Sequence, residues 1–200
     1  MCNLYRMSKS AAEVAGLFNV NSASAGANTP ELHYPGHPGL VVADGKLRPM
    51  HWGFPLTLKG KHGQPLKPKP VNNARTDKLS GPFWRSSFEN RRCLIPVSAY
   101  AEAEGPKGAK TRTWFHLPDA DLFACAGIWR ASVEWGDSYS MIITDANEQA
   151  TPTHDRMPVI VTQQDWPAYL SGSPREAFTL CRPWPGEMVI ERTDQPWVAK

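Results

Sequence analysis

Proline and glycine interrupt this chain so often that few stretches are free to form a long element. Nineteen prolines and fifteen glycines stand among 200 residues. Proline removes a backbone donor and glycine is costly to order, so both collect at turns and element ends. The apolar runs between them are short and partly alternating, which is a strand pattern. Gly39–Ala43 and Lys46–Trp52 flank Asp44-Gly45, the favoured two-residue hairpin turn. Further strands are expected over 92–103, 113–117, 122–126, 128–133, 139–144 and 158–161, with 188–191 closing the set. With 41% hydrophobic and 20% charged residues, the chain has enough apolar material for a sizeable core. No internal repeat and no long linker divides it. The expected fold is therefore α+β: a single domain over 1–200, with a curved, mostly antiparallel, barrel-like sheet and a few peripheral helices.

The helices are short. Ala11, Val14, Ala15 and Phe18 share one helical face, with Ser8 or Ser10 placed to cap its start. Thr162-Gln163-Gln164-Asp165 and Pro174-Arg175-Glu176 open two more. Residues 19–38 read as loop. Residues 56–70 read as a basic Gly/Pro-rich loop carrying Lys59, Lys61, Lys67 and Lys69, either a solvated surface or a phosphate-contacting flap.

A net charge of +3 and a pI near 8.7 are compatible with a nucleic-acid groove without requiring one. Cys2, Cys93, Cys125 and Cys181 lie far apart with no CxxC pair, so no metal site is expected, and no cofactor motif is present. The N-terminus lacks the charged and apolar regions of a signal peptide, and no stretch is long enough for a membrane span. A cytoplasmic, monomeric protein with reduced thiols is the expectation.

Cys2 has a chemistry that the other cysteines lack. Removal of Met1 would leave an α-amine and a thiol on adjacent carbons. An α-amine with a pKa near ~7.7–8.0 and a thiol near ~8.5 are both partly nucleophilic at neutral pH. Such a pair captures an aldehyde first as an imine and then as a thiazolidine ring. The plainer alternative is a frayed, inert terminus.

Three polar stretches interrupt the strand pattern: 71–77 with Asn72-Asn73-Ala74-Arg75, 92–102 ending in Tyr100-Ala101-Glu102, and 153–161 with His154-Asp155-Arg156-Met157-Pro158. Together with Met1-Cys2-Asn3-Leu4-Tyr5 and Trp52-Gly53-Phe54, in this order, they resemble the SRAP family. These are the SOS-response-associated peptidases that process abasic sites in DNA, and the likeness runs from residue 1 to about 162.

The resemblance implies a covalent crosslink to the ring-opened abasic sugar in single-stranded DNA, with autoproteolytic and lyase-type activity. It assigns Cys2 as nucleophile, Asn73 as the group orienting terminus and sugar, and Glu102 as proton shuttle. His154 would hydrogen-bond the sugar hydroxyl. Arg75 and Arg156 become phosphate contacts, and Trp52 either a base-stacking platform or core. The chain departs from the family around Ser98–Ala103, where the usual aromatics and a following tryptophan are missing. Glu104 also lies on the same strand face as Glu102, so the acid/base is one of these two. It departs again at Tyr34-Pro35-Gly36 and after Trp52-Gly53, which bears on how the DNA strands are parted. Two other readings account for parts of the pattern. One is a cysteine peptidase acting on other proteins; the other is a non-catalytic single-stranded DNA-binding domain.

Overall fold

A computed structural model describes residues 2–22 and 30–197. In chain order the first strands are β1 (Tyr5–Arg6), β2 (Asn21–Ser22), β3 (Leu32–His33), β4 (Pro38–Ala43), β5 (Lys46–Trp52), β6 (Phe54–Leu56), β7 (Lys69–Val71) and β8 (Asn73–Arg75). Then come β9 (Arg92–Val97), β10 (Ala99–Glu104), β11 (Thr111–His116), β12 (Phe123–Ser132), β13 (Gly136–Asp145), β14 (Arg156–Pro158), β15 (Ile160–Val161) and β16 (Val189–Pro196). The helices are α1 (Ala11–Leu17), α2 (Arg85–Asn90), α3 (Trp166–Ser171) and α4 (Pro174–Thr179).

Asp44-Gly45 turns β4 into β5 as expected, with φ of 52° and 69°, the positive values a mirror-image hairpin turn requires. From this hairpin a barrel closes. β13 pairs with β12, β12 with β9, β9 with β4 and β4 with β5, all antiparallel. β5 then pairs with β13 in parallel through Ser138↔His51 and Tyr139↔Trp52. Closure removes the open sheet edges that would otherwise invite aggregation. The result is the mostly β, barrel-cored fold expected, with helices at the periphery.

A second sheet, in the order β16-β11-β10-β1-β3, packs beside the barrel and takes in the N-terminus as an interior strand. Its two faces follow the two-residue period. Tyr5 and Tyr100 point into the main core, while Leu4, Ala99, Ala101 and Trp114 form a small cluster on the other face.

Several expectations need correcting. The two runs at 122–126 and 128–133 are one strand, β12. Gly127, which reads as a break, lies where Cys93 Sγ and Ile95 of β9 occupy the space a Cβ would need. The loop at 19–38 contains β2 and β3, which form only because β5 and β1 offer them backbone partners; residues 23–29 of that loop lie outside the described residues. The basic stretch 56–70 is an arm rooted in the β6–β7 pair. The closing strand β16 runs to Pro196, well past residue 191. Helix α2 has no counterpart among the expected elements: it is six residues long and has no side-chain cap.

Two caps match the sequence closely. Ser10 caps α1 in a capping box with Glu13, and Ser173 does the same for α4 with Glu176. At 162–165 the chain first makes a 3₁₀ turn, Gln163–Asp165, before α3 begins.

Candidate active site

The terminus is not frayed. Cys2, Leu4 and Tyr5 are each 1% exposed and Met7 5%. Burial of Leu4 and Met7 favours the docked terminus by ~1.5–3 kcal/mol each, which with the β1 ladder bonds offsets the ~1–2 kcal/mol that ordering each backbone residue costs. Backbone bonds pin the segment to β10, with Ala101 N–H donating to Leu4 O at 2.9 Å and Ser98 N–H to Arg6 O at 2.8 Å.

The Asn72–Arg75 segment lies along β13. Met141 N–H donates to Asn72 O, and β8 pairs in parallel with Met141–Ile143. This register brings two side-chain amides to one atom. Asn73 Nδ2 donates to Cys2 O at 2.8 Å, and Asn72 Nδ2 donates to the same oxygen and to Asn3 Oδ1, both at 3.0 Å. Asn73 was expected here; Asn72 was not. The doubled asparagine that follows the basic 56–70 stretch was the available signal.

Glu102 and Glu104 part company in the fold. Glu104 accepts from Thr113 Oγ1 at 2.5 Å and from Arg192 Nε at 3.1 Å, and these partners hold its carboxyl below the usual range. Glu102 is 3% exposed. Burial pushes its pKa up to about 7, against the pull of the amino-terminal charge. Of the two candidates, Glu102 is the one whose proton is exchangeable near neutral pH. Burial raises the Cys2 thiol well above its ordinary value, and the Glu102 carboxylate raises it further. At rest Cys2 keeps its proton, donating Sγ–H to Leu4 O at 3.6 Å.

His154 ends a turn organised by Asn147. Asn147 Oδ1 accepts from Ala150 N–H at 2.9 Å, its Nδ2 donates to Trp184 O at 3.0 Å, and the amides of Thr153 and His154 both donate to Ala150 O. His154 Nδ1 accepts from Arg156 N–H at 3.0 Å, so the neutral ring carries its proton on Nε2. Asp155 Oδ1 is also 3.0 Å from Nδ1, an approach that becomes an ion pair only when the ring is protonated. Burial and then the amino-terminal charge keep the His154 pKa below normal, with Asp155 opposing them, and the neutral form is favoured.

The arginines are engaged with carboxylates. Arg75 grips Asp77 with Nε and an Nη, both at 2.9 Å, and Arg156 meets Asp145 at 2.9 Å. Trp52 corrects one expectation. It is wholly buried, packs edge-on against Tyr5, and donates Nε1–H to Asn72 O at 3.0 Å. In this position it supports the Asn72 segment from within the core and offers no face to a base. Gly53 follows at φ +116°, where Pro70 of β7 leaves no room for a Cβ. Among the described residues no three histidine, cysteine or acidic side chains converge to hold a metal ion. No described helix is long and apolar enough to cross a membrane.

The chain is similar to known proteins in sequence and in fold. Residues 1–195 match the model of the family described as SOS response associated peptidase (SRAP). The chain is 28% identical over 193 residues to the abasic site processing protein YoqW of Bacillus subtilis (strain 168), covering 86% of this chain and 80% of that protein. It is 27% identical to YobE of the same organism, also named an abasic site processing protein, with 86% and 82% covered. Two crystal structures share the fold. A Bacteroides thetaiotaomicron protein superposes with a TM-score of 0.80 at 21% identity, covering 96% of this chain and 91% of that one. A Bordetella bronchiseptica protein gives 0.79 at 21% identity, with 96% and 99% covered.

Proposed function

The chain belongs to the SOS response associated peptidase (SRAP) family, and from that premise we propose that it processes abasic sites in single-stranded DNA through a covalent link to Cys2. Once Met1 is removed, the α-amine of Cys2 attacks the aldehyde of the ring-opened sugar. The resulting carbinolamine loses water to give an imine. The thiol then adds across the C=N bond: sulfur bonds to carbon, the π pair takes a proton onto nitrogen, and a thiazolidine forms. The balance is aldehyde plus aminothiol giving thiazolidine plus one water.

Glu102 suits both proton transfers, since a carboxyl with a pKa of about 7 is populated as acid and as base at neutral pH. As an acid it protonates the departing water, and as a carboxylate it takes the thiol proton. His154, neutral with its proton on Nε2, donates to a sugar oxygen as the ring opens. Asn72 and Asn73 hold the Cys2 carbonyl, which fixes the amine two bonds away. Arg75 and Arg156 exchange their carboxylate partners for phosphate when DNA arrives.

The observation that carries this reading is the docked terminus itself. Cys2 is buried and feels the charge of a carboxyl of raised pKa, Glu102, with its carbonyl clamped by two amides. An inert second residue needs none of these.

The test is to mix Met1-free protein with a single-stranded oligonucleotide carrying one abasic site, and to follow intact mass and denaturing gels. The expected product is a heat-stable adduct, formed without borohydride, with the mass of both partners less one water. It should be lost in Cys2→Ala and after acetylation of the terminus. Activity surviving acetylation would point to a peptidase that needs only the thiol. Binding without any adduct would leave a non-covalent DNA-binding domain, and either result would overturn the proposal.

A further inference from the structure

Two residues before Glu102, on the same face of β10, lies a polar group that the mechanism above does not use. Tyr100 is fully buried, and its ring stacks on Phe115 with centroids 5.0 Å apart and planes 9° from parallel. Its hydroxyl has no hydrogen-bond partner among the described residues. A phenylalanine would fill this place without leaving a buried hydroxyl unsatisfied, so the hydroxyl calls for a role.

We propose that Tyr100 is a further catalytic residue, whose hydroxyl donates a hydrogen bond to the Cys2 sulfur as the thiol gives up its proton for ring closure. This rests on the crosslinking function above. Placement is the first support. Tyr5 pairs with Tyr100 across β1 and β10, and Cys2, Tyr5 and Tyr100 belong to one core cluster, on the opposite face from Leu4, Ala99 and Ala101.

The second support is what happens to the sulfur. At rest its proton goes to Leu4 O. A thiolate has no proton to give to Leu4 O; the Leu4 backbone and the amino-terminal charge favour it, and a further donor to the sulfur would add to them. Glu102 repels a thiolate when ionised, and the other buried group acting on Cys2, the Cys125 thiol, is a weak donor. Tyr100 is neutral and buried. Its own pKa is raised by burial first and then by Cys2, so it remains protonated and able to donate. Ring closure then transfers the thiol proton to Glu102 and on to the imine nitrogen, while Tyr100 keeps its own.

The test compares Tyr100→Phe with the parent protein, both free of Met1, on the abasic oligonucleotide. Borohydride trapping reads the imine, and the heat-stable adduct formed without borohydride reads ring closure. The expected result is unchanged imine trapping with closure slowed about tenfold or more, the scale of removing one hydrogen bond to a charged atom. A second readout needs no DNA: the pH profile of iodoacetamide alkylation at Cys2, mapped by peptide mass. Tyr100→Phe should move it upward by about one pH unit, whereas a purely structural role would leave it in place. If the variant folds poorly, 3-fluorotyrosine at position 100 keeps the shape with a more acidic hydroxyl and should speed closure. Equal closure rates with an unmoved alkylation profile would overturn the role of Tyr100 while leaving the crosslink intact. A parent protein that forms no adduct would instead overturn the crosslinking function, and the alkylation profile would still decide whether Tyr100 serves the sulfur.

Discussion

Burial separates two glutamates that the strand places on one face. Glu104 ends β10 among partners that favour its charge, whereas Glu102, two residues earlier, is enclosed. Glu102→Gln removes the proposed proton shuttle and keeps the shape. Adduct formation should slow by about 10²-fold or more, with affinity for intact single-stranded DNA unchanged; single-turnover gels and a binding titration measure the two. The same residue fixes the sign of a pH effect on stability. Between an unfolded pKa near ~4.3 and the folded value of about 7, the unfolded chain releases its proton first. The Glu102 contribution is therefore full below the lower value and lost as pH rises to the upper one. Glu102→Gln should gain stability over the parent at pH 8, by ~4 kcal/mol at most, and gain little at pH 4; urea unfolding at both pH values checks this. Asn72 and Asn73 serve one acceptor, Cys2 O. Each alanine variant should slow the adduct, and the double variant should cost more than the two effects summed, because the second amide partly holds the carbonyl when the first is gone.

Among the elements, the arm between β6 and β7 is the basic stretch that reads either as a solvated surface or as a phosphate-contacting flap. Lys59, Lys61, Lys67 and Lys69 lie on it with no acidic residue between 56 and 76, and Leu58 and Leu66 are 48% and 42% exposed. The arm leads directly into Asn72, whose side-chain amide donates to Cys2 O. Replacing the four lysines with glutamine should weaken binding to single-stranded DNA and flatten its salt dependence. Every phosphate that a lysine no longer neutralises takes ~0.7 from the log–log slope, to about 3 for all four, while the closure rate at saturating DNA stays near the parent value. Affinity measured across a sodium chloride series decides it; an unchanged slope would make the arm a solvated surface. The charge of this element is plain in the sequence, but its form is not: the β6–β7 pairing rests on a register set by Gly53 and Pro70.

At the scale of the whole molecule, one buried cation ties the periphery to the barrel. Arg92 begins β9 and is 8% exposed. It donates to Tyr169 O at 2.5 Å and Phe88 O at 2.7 Å, and also to Glu89 O and Gly172 O. It thus gathers α2 and the end of α3 against the sheet. Arg92→Lys cannot reproduce that fork and should destabilise the fold by ~3–5 kcal/mol, read as a lowered urea midpoint, with both helices loosened. Much of the architecture is legible locally. The Asp44-Gly45 hairpin, the Ser10 and Ser173 capping boxes and the strand over 139–144 each depend on neighbours a few residues away, and the order of motifs around Cys2, Asn73, Glu102 and His154 points to the family. The single strand expected over 92–103 instead divides at Ser98 into β9 and β10 of different sheets. What only the tertiary structure decides are matters of enclosure and long-range pairing. These include the closure of β5 on β13, the two-residue strands β2 and β3, the uncapped α2, and the passage of β12 through Gly127. They also include the burial of Trp52, the different surroundings of Glu102 and Glu104, and the enclosure of the Tyr100 hydroxyl. The physical reason is common to all of them. Local sequence sets turn geometry and periodicity, whereas desolvation and non-local hydrogen bonding depend on which distant segments close over a residue.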